Sequence, residues 1–185
     1  MKQALQGLKV IDLSQVLAGP YCTMVLADMG AEVIKIEKYP NGDDTRTMGP
    51  FVNEESHMYM MVNRNKKGVC INLKTTEGLA LFKELIQSVD VLVENYRPGV
   101  TKRLGIDYDT LKAINPGLIY CSISGYGQTG PYSQKGGYDI MAQGLSGLMH
   151  MTGEADGRPV KVGFAVNDIA AAQTALQSIL MAYIY

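Results

Sequence analysis

Near its first residue the chain carries a short apolar run that is rich in β-branched side chains: Leu8-Lys9-Val10-Ile11-Asp12-Leu13. An apolar run of this length predicts a buried β-strand. After a polar loop, a helix is predicted over residues 20–29, because proline suits a first helical turn and Gly30 ends the pattern. Residues 32–37 predict a second strand. This strand–helix–strand order, with its fully apolar first strand, predicts a parallel sheet that is covered on both faces.

Strands and helices continue to alternate through the middle of the sequence. Apolar runs predict strands over residues 69–73, 91–93 and 118–123, and periodic patterns predict helices over 77–87 and 109–114. Thr76 is the predicted cap of the first of these helices. Repeated alternation of this kind is typical of an α/β fold with a Rossmann-like, doubly wound, mostly parallel sheet.

The pattern changes in the last third of the sequence. A glycine-rich loop over residues 125–131 precedes a predicted helix over 138–150. An extended piece over 159–166 then leads to a long apolar helix over 169–185, which Asn167-Asp168 opens. Because that helix shows no glycine, cap or polar tail where the sequence stops, we expect the chain to be part of a longer protein.

Composition sets the broad class of the chain. Its 185 residues are 46% hydrophobic and 19% charged, and the net charge is -1. These values suit a domain with a real core and exclude a disordered chain, a collagen-like repeat and a small disulfide scaffold. A charge balance near zero gives no bulk attraction to nucleic acid or to an anionic membrane, so we expect neither as a partner.

The cysteine and histidine content bears on compartment and metals. The three cysteines, Cys22, Cys70 and Cys121, are far apart and odd in number, which favours reduced thiols over disulfides or a metal site. The two histidines, His57 and His150, are too few for a histidine-rich metal centre. The first residues lack the apolar stretch of a signal peptide, and no segment approaches the ~20 apolar residues of a membrane span. We therefore expect a cytoplasmic protein without a metal.

Segments that follow the predicted strands are the candidate ligand-binding sites, because ligands of doubly wound sheets bind beyond the carboxyl ends of the strands. These segments are residues 15–19, 37–38, 72–74, 95–97 and 125–130. The first leads into a helix N-terminus, which suits an anion, although a plain structural turn is the alternative. It lacks both G-x-G-x-x-G and G-x-x-x-x-G-K-[ST], which disfavours an NAD-dependent oxidoreductase.

Basic side chains recur near the strand ends: Lys38, Lys66, Lys67, Lys74, Arg97, Lys102 and Arg103. Gathered around a polyphosphate, they would make strong charge-assisted hydrogen bonds. The alternative is a solvated basic rim that binds no ligand.

Asp168 is the strongest candidate for a catalytic residue, and two interpretations of its role stay open. An aspartate at a helix start is commonly a cap for the backbone N–H groups. It can also be a carboxylate nucleophile, because a free aspartate has a pKa near ~3.9 and is ionised at neutral pH. Its weak nucleophilicity would have to be offset by precise orientation toward an activated acyl group and by N–H donors for the oxyanion.

Several segments, taken in order, resemble one family. The longest are LADMGAEVIKIE (residues 26–37) and DVLVENYRPGV (residues 90–100). The shorter stretches are residues 8–13, 17–20, 42–46, 63–67, 73–74, 103–105, 124–127 and 137–139. Over essentially its whole length, the chain resembles the class III CoA-transferases.

The resemblance implies a role for each matching position. Asp168 matches the aspartate that attacks an acyl-CoA and carries the covalent intermediate, first as an acyl anhydride and then as an aspartyl-CoA thioester. Gln15 lies where a polar side chain often approaches the acyl group. The implied contacts to CoA, as a substrate and not a permanently bound cofactor, are Leu17, Ala18, Lys38, Ile71, Asn72, Leu73, Lys74, Asn95, Tyr96, Arg97, Arg103, Gly136, Gly137, Tyr138 and Asp139.

The departures from the family pattern decide between its activities. Racemases of the family use a histidine where this chain has Tyr138, which favours transfer of CoA to a carboxylic acid over racemisation or epimerisation. A non-catalytic CoA-binding module is the further alternative for this chain alone. The resemblance assigns residues 1–185 to the N-terminal part of the CoA-binding large domain. It implies that the small domain and the C-terminal return lie outside this chain, and that the full-length protein is an interlocked homodimer.

Overall fold

The computed structural model of the chain describes residues 3–185. Its strands are β1 (Lys9–Asp12), β2 (Glu32–Lys38), β3 (Phe51–Val52), β4 (Glu55–Ser56), β5 (Lys67–Ile71), β6 (Val91–Glu94) and β7 (Ile119–Ser122). Its helices are α1 (Ala18–Asp28), α2 (His57–Asn63), α3 (Thr76–Ile86), α4 (Val100–Leu104), α5 (Tyr108–Lys112), α6 (Asp139–Leu145), α7 (Leu148–Met151) and α8 (Val166–Ile184).

Five parallel strands form the central sheet, in the order β5-β2-β1-β6-β7. In this register Val10 of β1 lies opposite Val33 of β2 on one side and Val91 of β6 on the other. From β1 the chain moves outward through β2 and β5, and later in the other direction through β6 and β7. The strand order therefore reverses between β1 and β6, which is where doubly wound sheets bind their ligands.

The core has two layers because successive strand residues point to opposite faces of the sheet. On one face Val10 and Val91 pack with the buried side chains of α1 and α8, among them Cys22 and Ile179. On the other face Ile11, Leu92 and Phe82 form a second cluster with residues of α3 and α5. This arrangement confirms the predicted α/β fold with a doubly wound parallel sheet.

Three helix predictions need correction. The predicted helix over 138–150 is two helices, α6 and α7, because Gly147 adopts a φ of +79° between them. α3 is capped by Thr75 and not by Thr76, since the Thr75 hydroxyl accepts a hydrogen bond from the Gly78 N–H at 3.1 Å. α8 begins at Val166, which sets Asp168 inside its first turn.

The polar segment between β2 and β5 is more structured than its composition predicts. It holds a 3₁₀ turn over Asp44–Thr47, the antiparallel β3–β4 hairpin and helix α2. Ser56 caps α2 by accepting from the Tyr59 N–H. The predicted extended piece over 159–166 forms no strand.

Within residues 3–185, no helix is both long and apolar enough to cross a lipid bilayer. In the same range, His, Cys, Asp and Glu side chains form no group of three that could hold a metal ion.

Candidate active site

A cleft of about 520 Å³ opens at the carboxyl ends of β1, β6 and β7, beside the reversal in strand order. The loop after β1 forms one wall, and the first turns of α6 and α8 form another. Most of the predicted site residues line it: Gln15, Leu17, Ala18, Asn95, Tyr96, Arg97, Gly136, Gly137, Tyr138, Asp139 and Asp168. The structure therefore brings together segments that are up to 150 residues apart in the sequence, as the strand-end rule predicts.

Asp168 presents its carboxylate to this cleft and does not cap its own helix. The N-cap of α8 is Ala165, and no side chain caps it. Asp168 is half-buried, and its carboxylate hydrogen-bonds to no other residue that the structure describes. Burial raises the pKa of Asp168, and the nearby Asp139 carboxylate adds to the effect. The capping interpretation is therefore wrong, and a carboxylate without a structural partner faces the cleft.

Asp139, and not Asp168, accepts a hydrogen bond from a backbone N–H group at the start of α8. Its Oδ1 accepts a hydrogen bond from the Asn167 N–H at 2.8 Å, although Asp139 lies on α6 and Asn167 on α8. The Gln143 side chain donates to the other carboxylate oxygen of Asp139. Because Asp139 ties the start of α8 to α6, it fixes the position of Asp168 relative to the cleft wall.

The loop after β1 contains an unusual backbone conformation. Val16 has a φ of +69°, a region that β-branched residues rarely adopt and that costs about 1–3 kcal/mol. The side chains of Asn95 and Asp43 bind the backbone of Gln15 and Val16. The wall of the cleft is thus a loop that other parts of the chain hold in place.

A buried group of charges lies beneath this loop. Lys35 Nζ is 3.0 Å from Asp43 Oδ2, and Lys66 Nζ is 2.9 Å from Asp12 Oδ2. The four side chains are each at most 2% exposed. Burial alone would raise the pKa of Asp12, but the ammonium groups of Lys66 and Lys35 hold that pKa well below its usual range. Two carboxylates therefore balance two ammonium groups in the interior, next to the cleft.

A second depression, of about 540 Å³, lies between α3 and α4. Three basic side chains line it: Lys74, Lys83 and Arg103. Leu73, Leu79 and Leu104 supply apolar surface beside them. The basic side chains suit an anionic group, because charge-assisted hydrogen bonds are strong. The leucines beside them suit an apolar group of the same ligand.

Six predicted contact residues lie outside the main cleft wall. Lys38 pairs with Asp44 and donates to Gln15 Oε1 at 3.1 Å, so it touches the cleft through those two residues. The Ile71 side chain is buried in the core, and Asn72 Oδ1 accepts from the Lys74 N–H. Leu73, like Lys74 and Arg103, lines the second depression.

Two lysines of the proposed basic rim have other roles. Lys66 is buried against Asp12, and Lys67 pairs with Glu32 at the exposed edge of the sheet. Neither lines the cleft or the second depression. The hypothesis that several of the seven basic side chains gather around a ligand therefore does not extend to these two, whereas Arg97 lines the main cleft and Lys74 and Arg103 line the second depression.

The residues that hold the cleft together were not predicted from the sequence. For the buried charges of Asp12 and Lys35 the sequence does contain a signal, since Asp12 lies between Ile11 and Leu13 and Lys35 lies between Ile34 and Ile36. The sequence contains no signal for the left-handed conformation of Val16, because valine favours negative φ. Asp44, Lys135 and Asn167 also line the cleft and were not predicted.

Two glycines let the walls of the cleft meet. A Cβ atom added to Gly137 would lie 2.3 Å from the Gly125 Cα, closer than real atoms approach. We expect Gly137→Ala in the full-length protein to force these backbones apart and to lower the free energy of unfolding by about 1–3 kcal/mol. Chemical denaturation measures the change.

Gly136→Ala is the matched control for that substitution. Its added Cβ would lie 3.2 Å from a guanidinium nitrogen of Arg97. The contact can be relieved by a shift of this flexible side chain, without a shift of the backbone. We expect a smaller loss of stability. Equal effects of the two alanines would contradict the role assigned to the Gly125–Gly137 contact.

Named relatives of this chain are CoA-transferases. It is 54% identical over 167 residues to the human protein named succinyl-CoA:glutarate CoA-transferase, a match that covers 90% of this chain and 38% of that protein. It is 50% identical over 162 residues to acetyl-CoA:oxalate CoA-transferase of Acetobacter aceti, covering 88% of this chain and 42% of that protein. The chain thus spans less than half the length of these relatives.

Solved structures and a family model agree with these matches. A CAIB/BAIF family protein from Brucella suis superposes with a TM-score of 0.95 at 44% identity, covering 100% of this chain and 50% of that one. A hypothetical protein from Mycobacterium tuberculosis gives a TM-score of 0.91 at 32% identity, covering 99% and 51%. The model for CoA-transferase family III matches residues 5–185. The chain belongs to CoA-transferase family III.

Proposed function

We propose that the full-length protein transfers CoA from an acyl-CoA to a carboxylic acid, with Asp168 as the covalent carrier. The observation that supports this most directly is the Asp168 carboxylate, which faces the cleft and has no hydrogen-bond partner among the described residues. A carboxylate in this position is ionisable, oriented by its helix and accessible to a bound thioester.

The chemistry needs no oxidant and no net proton. An Asp168 carboxylate oxygen attacks the thioester carbonyl carbon, and the C–S bond breaks to give an acyl anhydride and CoA thiolate. The thiolate attacks the aspartyl carbonyl and releases the donor acid, which leaves an aspartyl-CoA thioester. The acceptor carboxylate then attacks the carbonyl carbon of this thioester, and its C–S bond breaks to give a new anhydride and CoA thiolate. The thiolate attacks the acceptor carbonyl of that anhydride, and the bond from this carbonyl to the bridging oxygen breaks. Acceptor acyl-CoA leaves and the Asp168 carboxylate is restored.

Each of these attacks develops negative charge on a carbonyl oxygen, which backbone N–H donors stabilise. The glycine segment over residues 136–137 lines the cleft beside Asp168. We assign its amides to that role, because glycine lets a backbone approach a ligand closely.

We assign the two depressions to the two ends of a CoA molecule. We place its phosphate-bearing nucleotide end against Lys74, Lys83 and Arg103, which are the basic side chains of the second depression. The pantetheine arm then runs past Leu17 and Tyr96 toward Asp168 in the main cleft. This assignment keeps the predicted contacts at Leu73, Lys74 and Arg103, and it leaves Ile71 only its backbone for contact, because its side chain is buried.

The acceptor acids in the names of these relatives, glutarate and oxalate, are dicarboxylic, whereas the named donors are succinyl-CoA and acetyl-CoA. We propose dicarboxylic acids as acceptors. Arg97 and Lys135 line the cleft and offer positive charge to the carboxylate that does not react. The cytoplasmic location and the interlocked homodimer stay predictions from the sequence.

The test uses full-length protein with succinyl-CoA as donor and glutarate, oxalate or mesaconate as acceptor. Chromatography of the CoA esters is expected to show a new acyl-CoA only when an acceptor is present. Binding of CoA without turnover would instead support a non-catalytic module. Deuterium uptake at Cα of a 2-methylacyl-CoA in D₂O, without any acceptor acid, would support the racemase alternative.

The proposal also predicts a pH dependence. Asp168 attacks only when it is ionised, and burial and the Asp139 carboxylate raise its pKa. As the pH is lowered, the transfer rate therefore begins to fall at a higher pH than it would for an aspartate with its ordinary pKa. Asp139→Asn removes the neighbouring negative charge and lowers the pKa of Asp168. We expect the acid limb of the transfer rate to move to lower pH.

Asp28→Asn is the control for this pH profile. It removes a carboxylate that pairs with Arg64 outside the cleft, and we expect it to leave the acid limb in place. An acid limb that stays unchanged in Asp139→Asn would contradict the assignment of that limb to Asp168.

A further inference from the structure

The loop after β1 is held almost entirely by side chains from other parts of the chain. The last ladder bond of β1 runs from the Leu13 N–H to the Val93 carbonyl at 2.8 Å. Beyond it, the Ser14 N–H donates to Asp12 Oδ1 at 2.9 Å, and Lys35 Nζ donates to the Ser14 carbonyl at 2.7 Å. The loop therefore takes its shape from its anchors and not from a regular backbone pattern.

Asn95 binds the backbone of Gln15 at both ends. The Gln15 N–H donates to Asn95 Oδ1 at 2.8 Å, and Asn95 Nδ2 donates to the Gln15 carbonyl at 2.7 Å. Both polar atoms of the asparagine are thus engaged within the protein. The resemblance assigns Asn95 to CoA, but the geometry assigns its amide to the loop.

Asp43 binds the next residue. The Val16 N–H donates to Asp43 Oδ1 at 3.2 Å, and Thr45 also donates to that oxygen from its N–H and its hydroxyl. The other oxygen, Oδ2, faces Lys35 Nζ at 3.0 Å in the buried interior. Asp43 is therefore anchored through three hydrogen bonds to Oδ1 and an ion pair at Oδ2, although Oδ2 accepts no hydrogen bond from any residue that the structure describes.

The residue that follows the anchored peptide has the unfavourable conformation. Val16 has a φ of +69°, it is about one-third exposed, and it lines the cleft with Gln15 and Leu17. A β-branched residue in this region persists only when the surroundings impose it. Here Asn95 holds the carbonyl and Asp43 the N–H of the Gln15–Val16 peptide. The carbonyl of Leu17, the next residue, accepts from the Tyr21 N–H of α1 at 2.8 Å.

We propose that Asn95 and Asp43 are positioning residues that hold Val16 in its left-handed conformation, so that the loop presents a fixed wall to the acyl-CoA. This inference rests on the proposed function. In it, Asn95 acts through the loop and not through a contact with CoA.

The two roles of Asn95 predict different kinetics. If Asn95 positions the loop, Asn95→Ala in the full-length protein lowers kcat by about 10- to 100-fold, because small displacements at a reacting centre have effects of that size. A contact that only binds CoA would instead raise KM for succinyl-CoA and leave kcat unchanged. Steady-state kinetics with succinyl-CoA and glutarate separate the two.

A second substitution, at Val16, tests whether Asn95→Ala lowers kcat through the conformation of the loop. Glycine adopts positive φ without strain, so Val16→Gly lets the loop keep its shape without the anchor. We expect Asn95→Ala/Val16→Gly to recover about ten-fold of the kcat lost in Asn95→Ala. Val16→Ala is the matched control: it removes the same methyl groups but keeps a Cβ, and we expect no recovery.

Three results would overturn the inference: an unchanged kcat in Asn95→Ala, no recovery with glycine, or equal recovery with alanine. If the wild-type enzyme transfers no CoA, the proposed function fails, and the inference is tested by stability alone. In that case a double-mutant cycle of Asn95→Ala and Val16→Gly, followed by chemical denaturation, has to show coupling between the two sites. Additive effects would overturn the inference there as well.

Discussion

In the full-length protein, Asp168→Ala is expected to reduce the rate of CoA transfer by about 10⁴-fold or more, because it removes the only carrier of the covalent intermediate. Asp168→Asn is expected to give a similar loss, since an amide is not a carboxylate nucleophile. Transfer is measured from succinyl-CoA to glutarate, with the release of each CoA ester followed by chromatography.

Neither substitution is expected to unfold the protein. The Asp168 carboxylate has no hydrogen-bond partner among the described residues, and it lies near the like charge of Asp139. Its removal therefore leaves the midpoint of denaturation at or above that of the wild type. Asp109→Ala is the matched control, because Asp109 is also an acidic residue in a first helical turn but lies outside the cleft. It should retain full activity. Substantial transfer by Asp168→Ala would contradict the mechanism.

Lys35→Met is expected to produce the largest loss of stability, about 3–5 kcal/mol in the free energy of unfolding. Lys35 Nζ lies 3.0 Å from Asp43 Oδ2 and 3.9 Å from Asp12 Oδ2, and its side chain is 1% exposed. Without it, two buried carboxylates face a single ammonium group. The Ser14 carbonyl also loses its donor, so the cleft loop loses an anchor. Urea denaturation of the full-length protein measures the effect.

The control for Lys35 is Lys67→Met on the neighbouring strand. Lys67 also pairs with a carboxylate, that of Glu32, but its side chain is 73% exposed. Exposed ion pairs contribute little to stability, so we expect the denaturation midpoint to stay nearly unchanged. Similar losses at Lys35 and Lys67 would show that burial of the charge group is not what makes Lys35 important.

The sheet could be predicted from the sequence because its central strands are apolar on both faces. β1 and β6 bury Val10, Ile11, Val91 and Leu92 almost completely, and only central parallel strands require such a pattern. The cleft followed from the same pattern, since a parallel sheet collects the segments after its strands at one edge. Asp168 was singled out by its position at the start of a predicted helix, and the resemblance to a family supplied its role.

The roles of individual polar residues could not be predicted in the same way, because they depend on partners far along the chain. Lys66 and Lys67 are adjacent, but Lys66 is buried against Asp12 and Lys67 is exposed. Asn95 follows a strand, as ligand contacts often do, although its amide binds Gln15. The contacts of Lys66 with Asp12 and of Asn95 with Gln15 join residues more than 50 positions apart, which a local pattern does not report.

The central claim is that Asp168 carries CoA covalently, and mass spectrometry of the full-length enzyme tests it most directly. The enzyme is mixed with succinyl-CoA, quenched in acid and digested. We predict CoA on the peptide that contains Asp168, and its loss after treatment with hydroxylamine. An enzyme that transfers CoA while that peptide stays unmodified, or that carries the adduct on another residue, would contradict the account.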